Sequence, residues 1–557
     1  MLIAFGRRPA LPECDICVVG AGPIGIALAL ACEERGLSVL LLESGSEQPE
    51  GFSAALTAGH RVDPTRHAMP AIAICRGLGG TSRWWGGRCV PFDDIDFAKR
   101  SHVEEAAWPV SHEEISRWYP GSAAFFGIGA ARFVAQAAVD AEGGDVRFNE
   151  LERWTPEINA AKCHRARLAA STRITVVLGA TVTDIGLAPD GERVIALTVV
   201  DAERTVRIKP RRVVLACGGL ETTRLLLQAQ QQRPEAFGGP NGSLGRYYMG
   251  HISGKIADIV LTDPATAAVH DFYLDEGTFV RRRFTLTAAA QLRERLLNTA
   301  FWADNPVFHR PEHRSGVLSL VWLALAIAPL GRLLASEGVR TSHVGPRPRQ
   351  WRRHVLNVLG SPHSTLAEIV AIVRARFLSS PRKPGFLLRN RAGRYALHYH
   401  AEHAPNRESR VKLGNTADAL GLPFLDVELK FAERDAQSVL RAHELLDDAL
   451  RSRGIGHLEY HQPAEARLAS ILQQASDGFH QIGTARMADT AAHGVVDANC
   501  RVHGVENLFV ASTAIFPSSG QASPTFVAAA LALRLAEHLS QTVRTNEPAA
   551  AAEREVV

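Results

Sequence analysis

Ile16-Cys17-Val18-Val19-Gly20-Ala21-Gly22-Pro23-Ile24-Gly25, near the head of the 557-residue chain, decides the fold. An apolar strand-like run feeds a glycine turn. Pro23 to Arg35, mostly Ala, Leu, Ile and Glu, then reads as a helix that Gly36 closes. Ser38–Leu42 is a second strand, with Glu43 at its end. Strand, glycine turn, helix and strand make the first half of a doubly wound α/β sheet that grips a dinucleotide. Gly20 makes the turn, Gly22 lets the backbone approach a pyrophosphate, and Gly25 lets helix and strand pack closely. The pyrophosphate sits over the helix N-terminus, where Pro23 and Ile24 stand, because unpaired amides and the helix dipole favour anions. Glu43, followed by Ser44, is placed to accept hydrogen bonds from the adenosine ribose. These spacings fit NAD and FAD alike.

Composition bounds the rest. With 46% apolar and 22% charged residues the chain is globular and long enough for two substantial domains. Its 62 basic and 58 acidic side chains are too balanced to argue for nucleic acid. Arg281-Arg282-Arg283 and Arg352-Arg353 read as solvated surface. No secretory signal is read ahead of the first strand, and a cytoplasmic location is expected. Cys14 and Cys17 have C-x-x-C spacing but fall at a strand start, so they read as apolar filler. The longest apolar run, Val317–Leu330, is shorter than the ~20 residues that span a bilayer. It reads as a buried helix, the alternative being a membrane-surface or partner-docking helix.

Further along, Gly77 to Gly87 has no apolar period and is a loop. Ile174–Leu178, Val194–Val200 and Val206–Ile208 read as strands, with a hairpin-type turn at Asp190-Gly191. Arg212 to Gly219 is a buried strand ending in glycines, and Glu221–Gln228 a helix, so the chain returns to its first sheet. Residues 251–475 are richer in Arg, His, Pro and aromatics. They contain helical stretches at Leu292–Leu297 and Ala436–Arg451 and a strand-like Phe424–Phe431. The expected division places the dinucleotide-binding domain at 1–110, 168–250 and 476–540. A linking segment at 111–167 and a discontinuous α+β domain at 251–475 serve the substrate. The Ala- and Glu-rich tail, 541–557, is expected to be disordered.

The C-terminal part separates the two dinucleotides. His480-Gln481-Ile482-Gly483-Thr484-Ala485-Arg486-Met487, Gly494-Val495-Val496-Asp497, Asn507-Leu508-Phe509-Val510-Ala511, Phe516-Pro517 and Ser523-Pro524-Thr525 resemble a known signature. It is that of the glucose–methanol–choline (GMC) oxidoreductases, whose cofactor is FAD. Gly79-Gly80-Thr81-Ser82 with Trp85-Gly86-Gly87, Trp108-Pro109, Leu215 through Thr222 and Gly245-Arg246-Tyr247 agree with the same family. The likeness covers both ends and the strands around 170–250, and is thin from 260 to 395. It implies a flavin enzyme of the bacterial sugar- and polyol-dehydrogenase branch. It also extends the FAD-binding set to the Gly79–Ser82 and Trp85–Gly87 segments, Val182, Ala216, Cys217, Gly218, Glu221, Ala511, Ser512, Ser523, Pro524 and Thr525.

In that family a histidine at the place of His480 takes a proton from the substrate hydroxyl while hydride passes to flavin N5. Imidazole, with an ordinary pKa of about 6.5, serves as a neutral base at physiological pH. Where relatives carry asparagine or histidine as a second catalytic group, this chain has Ser523. The same Ser523 reads as the N-cap of the last helix, with Pro524 in its first turn. The resemblance implies that this helix N-terminus points at the flavin's pyrimidine edge, where its amides, Thr525 in particular, are expected to stabilise negative charge on reduced flavin. A hydroxyl is shorter than a carboxamide, so a water, Gln521 or a substrate-domain residue is expected to complete the contact. Trp84 occupies the position at which some relatives attach flavin through histidine, so FAD is expected to be non-covalent. His398 and His400 share a strand face, near Glu402, Asn406, Ser409 and Arg410. With no further ligand at local spacing, no metal is expected. His251 has no assigned task. The expected substrate is a sugar, polyol or sugar-like alcohol, with steroid, long-chain and aromatic alcohols open. The rivals are hydroxynitrile-lyase-like cleavage and a subunit that needs a separate electron-acceptor protein. Oxygen, quinone and a redox protein are all open as acceptor, and neither a nucleic-acid partner nor a transmembrane segment is expected.

Overall fold

The computed structural model describes residues 1–7, 11–48, 51–135, 144–201, 203–334, 344–345, 348–388 and 392–554. Aliphatic runs buried on both faces require a parallel sheet covered on each side. Such a sheet forms from β1 (Leu2–Ala4), β2 (Ile16–Val19), β3 (Val39–Glu43), β6 (Ile174–Leu178), β10 (Val213–Leu215) and β19 (Leu508–Val510). Its order is β1-β6-β3-β2-β10-β19, with every pairing parallel. Helix α1 (Pro23–Glu34) follows β2, and α2 (Gly218–Gln232) follows β10, starting three residues earlier than the sequence suggests. A side chain at Gly20, whose φ is +104°, would meet the Ala216 carbonyl oxygen at 2.6 Å, and one at Gly25 would meet the Gly20 oxygen at 2.0 Å. Only glycine closes this turn. At Gly22 a Cβ would meet nothing within 4 Å, so that backbone faces open space. A meander of β7 (Thr181–Leu187), β8 (Val194–Val200) and β9 (Thr205–Ile208) joins the same core through Val182, Ile185, Leu197 and Val199. The Asp190-Gly191 turn links β7, a strand the sequence reading lacks, to β8.

The second sheet is antiparallel. It comprises β4 (Arg88–Cys89), β5 (Val146–Trp154), β11 (His251–Leu261), β12 (Tyr273–Asp275), β13 (Thr278–Leu286), β14 (Thr299–Asp304), β15 (Arg394–Glu402) and β18 (Gly456–Tyr460). The order is β18-β11-β15-β14-β13-β5-β4, with β12 on β13. Two of its strands therefore come from outside residues 251–475. In the other direction, the hairpin β16 (Arg410–Ala417) and β17 (Pro423–Glu428) packs against Leu220 of α2. Between β14 and β15 the described residues include four α-helices, α3 (Gly316–Ala326), α4 (Ala328–Leu334), α5 (Trp351–Leu359) and α6 (Pro362–Val373). Val317–Leu330 is thus two helices, and only part of it is buried. Helices α7 (Glu433–Ser452) and α8 (Ala464–Gln474) cover one face of the sheet, where Phe301 sits opposite Tyr399. By the two-residue period of a strand, the other face carries His398 opposite Trp302 and His400 opposite Ala300.

That alternation corrects the sequence reading of Arg281-Arg282-Arg283. Arg281 and Arg283 are buried, and only Arg282 is partly exposed. The helix expected at Leu292–Leu297 is Ala288–Glu294 instead. Thr287 caps it by accepting the Ala290 N–H at 3.3 Å, and left-handed Arg295 ends it. Helix α9 (Thr525–Arg554) runs past residue 541, where a disordered tail was expected. Its first intrahelical bond, Ala528 N–H to the Pro524 carbonyl at 2.9 Å, puts Pro524 rather than Ser523 at the cap. A buried two-pronged ion pair ties the loop after β4 to the second sheet, Arg100 donating to Glu402 at 2.7 and 2.6 Å.

Candidate active site

Segments far apart in the chain line one cleft with an empty volume of about 1300 Å³. The glycine turn contributes Gly20, Gly22, Pro23 and Ile24, and the end of β3 contributes Glu43 and Ser44. Gly80, Thr81, Val182, Ala216, Cys217, Gly218 and Glu221 form its middle. The C-terminal part closes it with His480, Ala511, Ser512, Pro524 and Thr525. Both chain ends therefore meet at one site. Glu43 ties strand to turn, accepting the Ala21 N–H at 2.9 Å and the Gly45 N–H at 3.0 Å. Burial opposes charge on Glu221, but Arg76, His60 and Arg224 hold its carboxyl far below the usual range. Burial pushes the Cys217 thiol up to about 12.

Several expected cofactor residues stand behind the lining. Gly79 docks the second glycine loop on the first, its N–H donating to the Ala21 oxygen at 2.8 Å. Ser82 donates to the Gly79 oxygen at 2.5 Å and accepts the Ala160 N–H at 3.0 Å. Trp85 donates its indole N–H to Ile158 at 2.7 Å, and a Cβ at Gly87 would meet Ile158 and Thr155 at 2.9 Å. Gly25, Gly86 and Ser523 also lie off the lining. A ligand shaped like FAD fits this arrangement. A side-chain-free backbone faces open space at Gly22, and a helix N-terminus stands beside it.

At the C-terminal end of the cleft, His480 donates from Nδ1 to Asp477 Oδ2 at 2.9 Å. Asp477 also accepts the backbone N–H of Phe479 at 2.9 Å and that of His251 at 2.7 Å. Burial alone would raise its carboxyl, but His480 and His251 hold it well below the ordinary value. Two further imidazoles close in from the second sheet. His251 stacks on His400 with ring centroids 4.2 Å apart, and both meet His480 edge-on, at 4.6 and 5.5 Å. One ring nitrogen from each of the three lies within 4.8 Å of the others. The local spacing of His398 and His400 offered no third ligand; the fold brings two more histidines from distant segments.

Their hydrogen bonds fix the tautomers. A carbonyl only accepts, so His400 carries its proton on Nδ1, 2.7 Å from the Gln521 oxygen. His251 carries its proton on Nε2, 3.2 Å from the Ser519 oxygen. His480 Nε2, His400 Nε2 and His251 Nδ1 are left as lone pairs, the last 3.6 Å from Asp477 and too far for a hydrogen bond. Burial holds both sheet histidines neutral, lowering His251 to about 4 and His400 well below its ordinary value. Nearby, Arg283 donates to Gln521 Oε1 at 2.6 Å. Its Nε and Nη2, like those of Arg88, have no hydrogen-bond partner among the described residues. Sequence reasoning missed Asp477, His400 as a site residue, and both arginines. Asp477 precedes His480 by three residues, but only a folded loop shows that they meet.

Residues 15–300 match the family model described as FAD dependent oxidoreductase, and residues 405–532 match the one described as GMC oxidoreductase. A 2-methyl-1,2-propanediol dehydrogenase of Mycolicibacterium austroafricanum is 21% identical over 95% of each chain. A paromamine 6'-oxidase of Streptomyces fradiae is 22% identical over 94% of this chain and 90% of its own. Among solved structures, pyridoxine 4-oxidase from Mesorbium loti shares the fold with a TM-score of 0.52 and 18% identity, over 94% of this chain and 99% of its own.

Proposed function

The chain belongs to the FAD-dependent oxidoreductases and is an alcohol oxidoreductase with a GMC-type C-terminal part; from that premise we propose that it oxidises a polyol or sugar-like alcohol, with His480 as base. The observation that carries this reading is the Asp477-held imidazole on the cleft lining, with one ring nitrogen each of His400 and His251 within 4.8 Å of one of its own. When bound, FAD supplies the two-electron acceptor for the carbinol hydride at flavin N5. The glycine turn, Glu43 and the start of α9 would hold it, and Trp84 gives it no covalent anchor. His480 Nε2 takes the hydroxyl proton as the carbinol C–H bond breaks and the carbonyl forms. Asp477 keeps the proton of His480 on Nδ1 and offsets the charge of the imidazolium that results.

Substrate class follows from the donor and acceptor inventory. His400, held as an acceptor at Nε2, suits the O–H donor of a second hydroxyl, whereas the lone pair of His251 lies 3.6 Å from Asp477 Oδ2. Arg283, whose Nε makes no hydrogen bond among the described residues, is a further donor on that face of the sheet, whereas Arg88 is already ion-paired, its Nε 3.3 Å from Glu152 Oε2. A steroid or long-chain alcohol would leave these buried groups unsatisfied. The names of two sequence relatives, a 2-methyl-1,2-propanediol dehydrogenase and a paromamine 6'-oxidase, support the same class. Ser523 makes no hydrogen bond among the described residues and stands two positions before the start of α9. An anaerobic screen of diols, polyols, sugars, aminosugars and aliphatic alcohols tests the reading. Bleaching of the flavin by a polyhydroxylated substrate is expected. Bleaching by apolar alcohols alone would refute the substrate class, and cleavage without bleaching would identify a lyase.

A further inference from the structure

The surface of α3–α6 is unlike any other part of the molecule. Of the 24 large apolar side chains exposed among the described residues, 12 fall between Leu320 and Leu378. On α5 they are Trp351, Val355, Leu356 and Leu359, with Leu356 65% and Leu359 66% exposed. The spacing i, i+4, i+5, i+8 puts them on one face. On α6, Leu366, Val370 and Val373 make a second stripe at i, i+4, i+7. These side chains are not needed inside the fold. The insert has its own small core, in which Trp322 stacks on His354 at 3.9 Å beside Leu325, Ala326 and Val344. No single helix among the described residues is long and apolar enough to cross a membrane; α5 and α6 meet at a bend of 88°.

Charge separates this patch from an ordinary protein-docking face. Residues 348–388 hold seven Lys and Arg against one Glu, a net of +6, while the whole chain nets +4. The rest of the protein is thus slightly acidic and its basic excess sits here. Arg352, Arg374 and Arg382 are exposed next to the apolar stripes. Two copies of this chain meeting through the patch would bring like charges together.

We propose that α3–α6 seat the enzyme on an anionic phospholipid bilayer. The apolar stripes enter the boundary between headgroups and acyl chains, and the arginines pair with lipid phosphates. The seat grows directly from the substrate sheet. Asp304, the last residue of β14, pairs with Ala396, four positions along β15 from His400.

The test uses the full-length FAD-loaded protein and sedimentation with vesicles of phosphatidylcholine, alone or mixed with phosphatidylglycerol. Binding to the mixed vesicles, weakened by salt, is expected. The Leu356→Glu/Leu359→Glu/Leu366→Glu variant should lose about tenfold or more of it, and so should Arg352→Gln/Arg374→Gln/Arg382→Gln. Dye-linked turnover of both variants should match the parent, because none of these positions lines the cleft. Failure to sediment with mixed vesicles would overturn the proposal. So would equal binding to both compositions, or a dimer of the parent that the Leu→Glu changes dissolve.

Discussion

The parallel sheet and the antiparallel sheet build one site by opposite means. The first presents mostly backbone: glycines at Gly20, Gly22 and Gly80 and a helix N-terminus, with the carboxylates of Glu43 and Glu221. The second presents side chains: His251, His400, Arg88 and Arg283 on one face of strands that meet only through long connections. The cofactor's invariant diphosphate is met by the part with little side-chain identity. In the reading proposed above, the variable substrate is met by the part that carries it.

The largest expected effect sharpens this division. His480→Ala should slow flavin reduction by about 10²–10⁴-fold, the usual worth of a positioned base, with flavin content unchanged. Stopped-flow absorbance checks it, and loss of flavin along with rate would blur the line between the two sheets. Glu402→Ala tests how the second sheet is fixed. Removing one partner of the buried Arg100 pair should destabilise the protein by about 3–5 kcal/mol, read from urea denaturation. A smaller cost would show that Arg100 finds another partner.

Acid should act on buried imidazoles. Burial chiefly lowers His251, His270 and His443 to about 4 in the folded protein. Unfolded imidazoles titrate near 6.5, at about that pH binding protons the folded state refuses. Their contribution is therefore whole above pH 6.5 and is lost as pH falls toward 4, on the order of 3 kcal/mol for each imidazole. The thermal midpoint should hold level from pH 8 to 7 and drop below 6.5, whereas a midpoint unchanged down to pH 4 would refute this burial. His400→Ala, which removes one acceptor from the substrate side, should raise KM for a polyol by about tenfold and affect a simple alcohol less. Acid precipitation should leave the yellow chromophore in the supernatant; a yellow pellet would indicate a covalent flavin.

How much was legible follows the same division. The turn from Gly20 to Gly25 and the strands Ile16–Val19 and Ile174–Leu178 are local patterns that sequence spacing reads, whereas the His480 segment was read through its resemblance to a known signature. Arg281 and Arg283 were taken for surface because three arginines in a row look solvated. Only the strand's alternation, once its inner face is known, sends two of them inside. His251 and His400 carry no local signal of their meeting, which depends on β11 and β15 pairing across about 150 residues. Asp477 lies three residues from His480, in a loop whose closure needs Gly478 at φ +116°.

Anaerobic mixing of the FAD-loaded enzyme with a polyol, parent beside His480→Ala, bears most directly on the convergence of the two chain ends. Rapid bleaching of the parent and bleaching slower by at least about a hundredfold in the variant are expected. Equal rates in the two proteins, or a purified parent with no flavin absorbance, would contradict it.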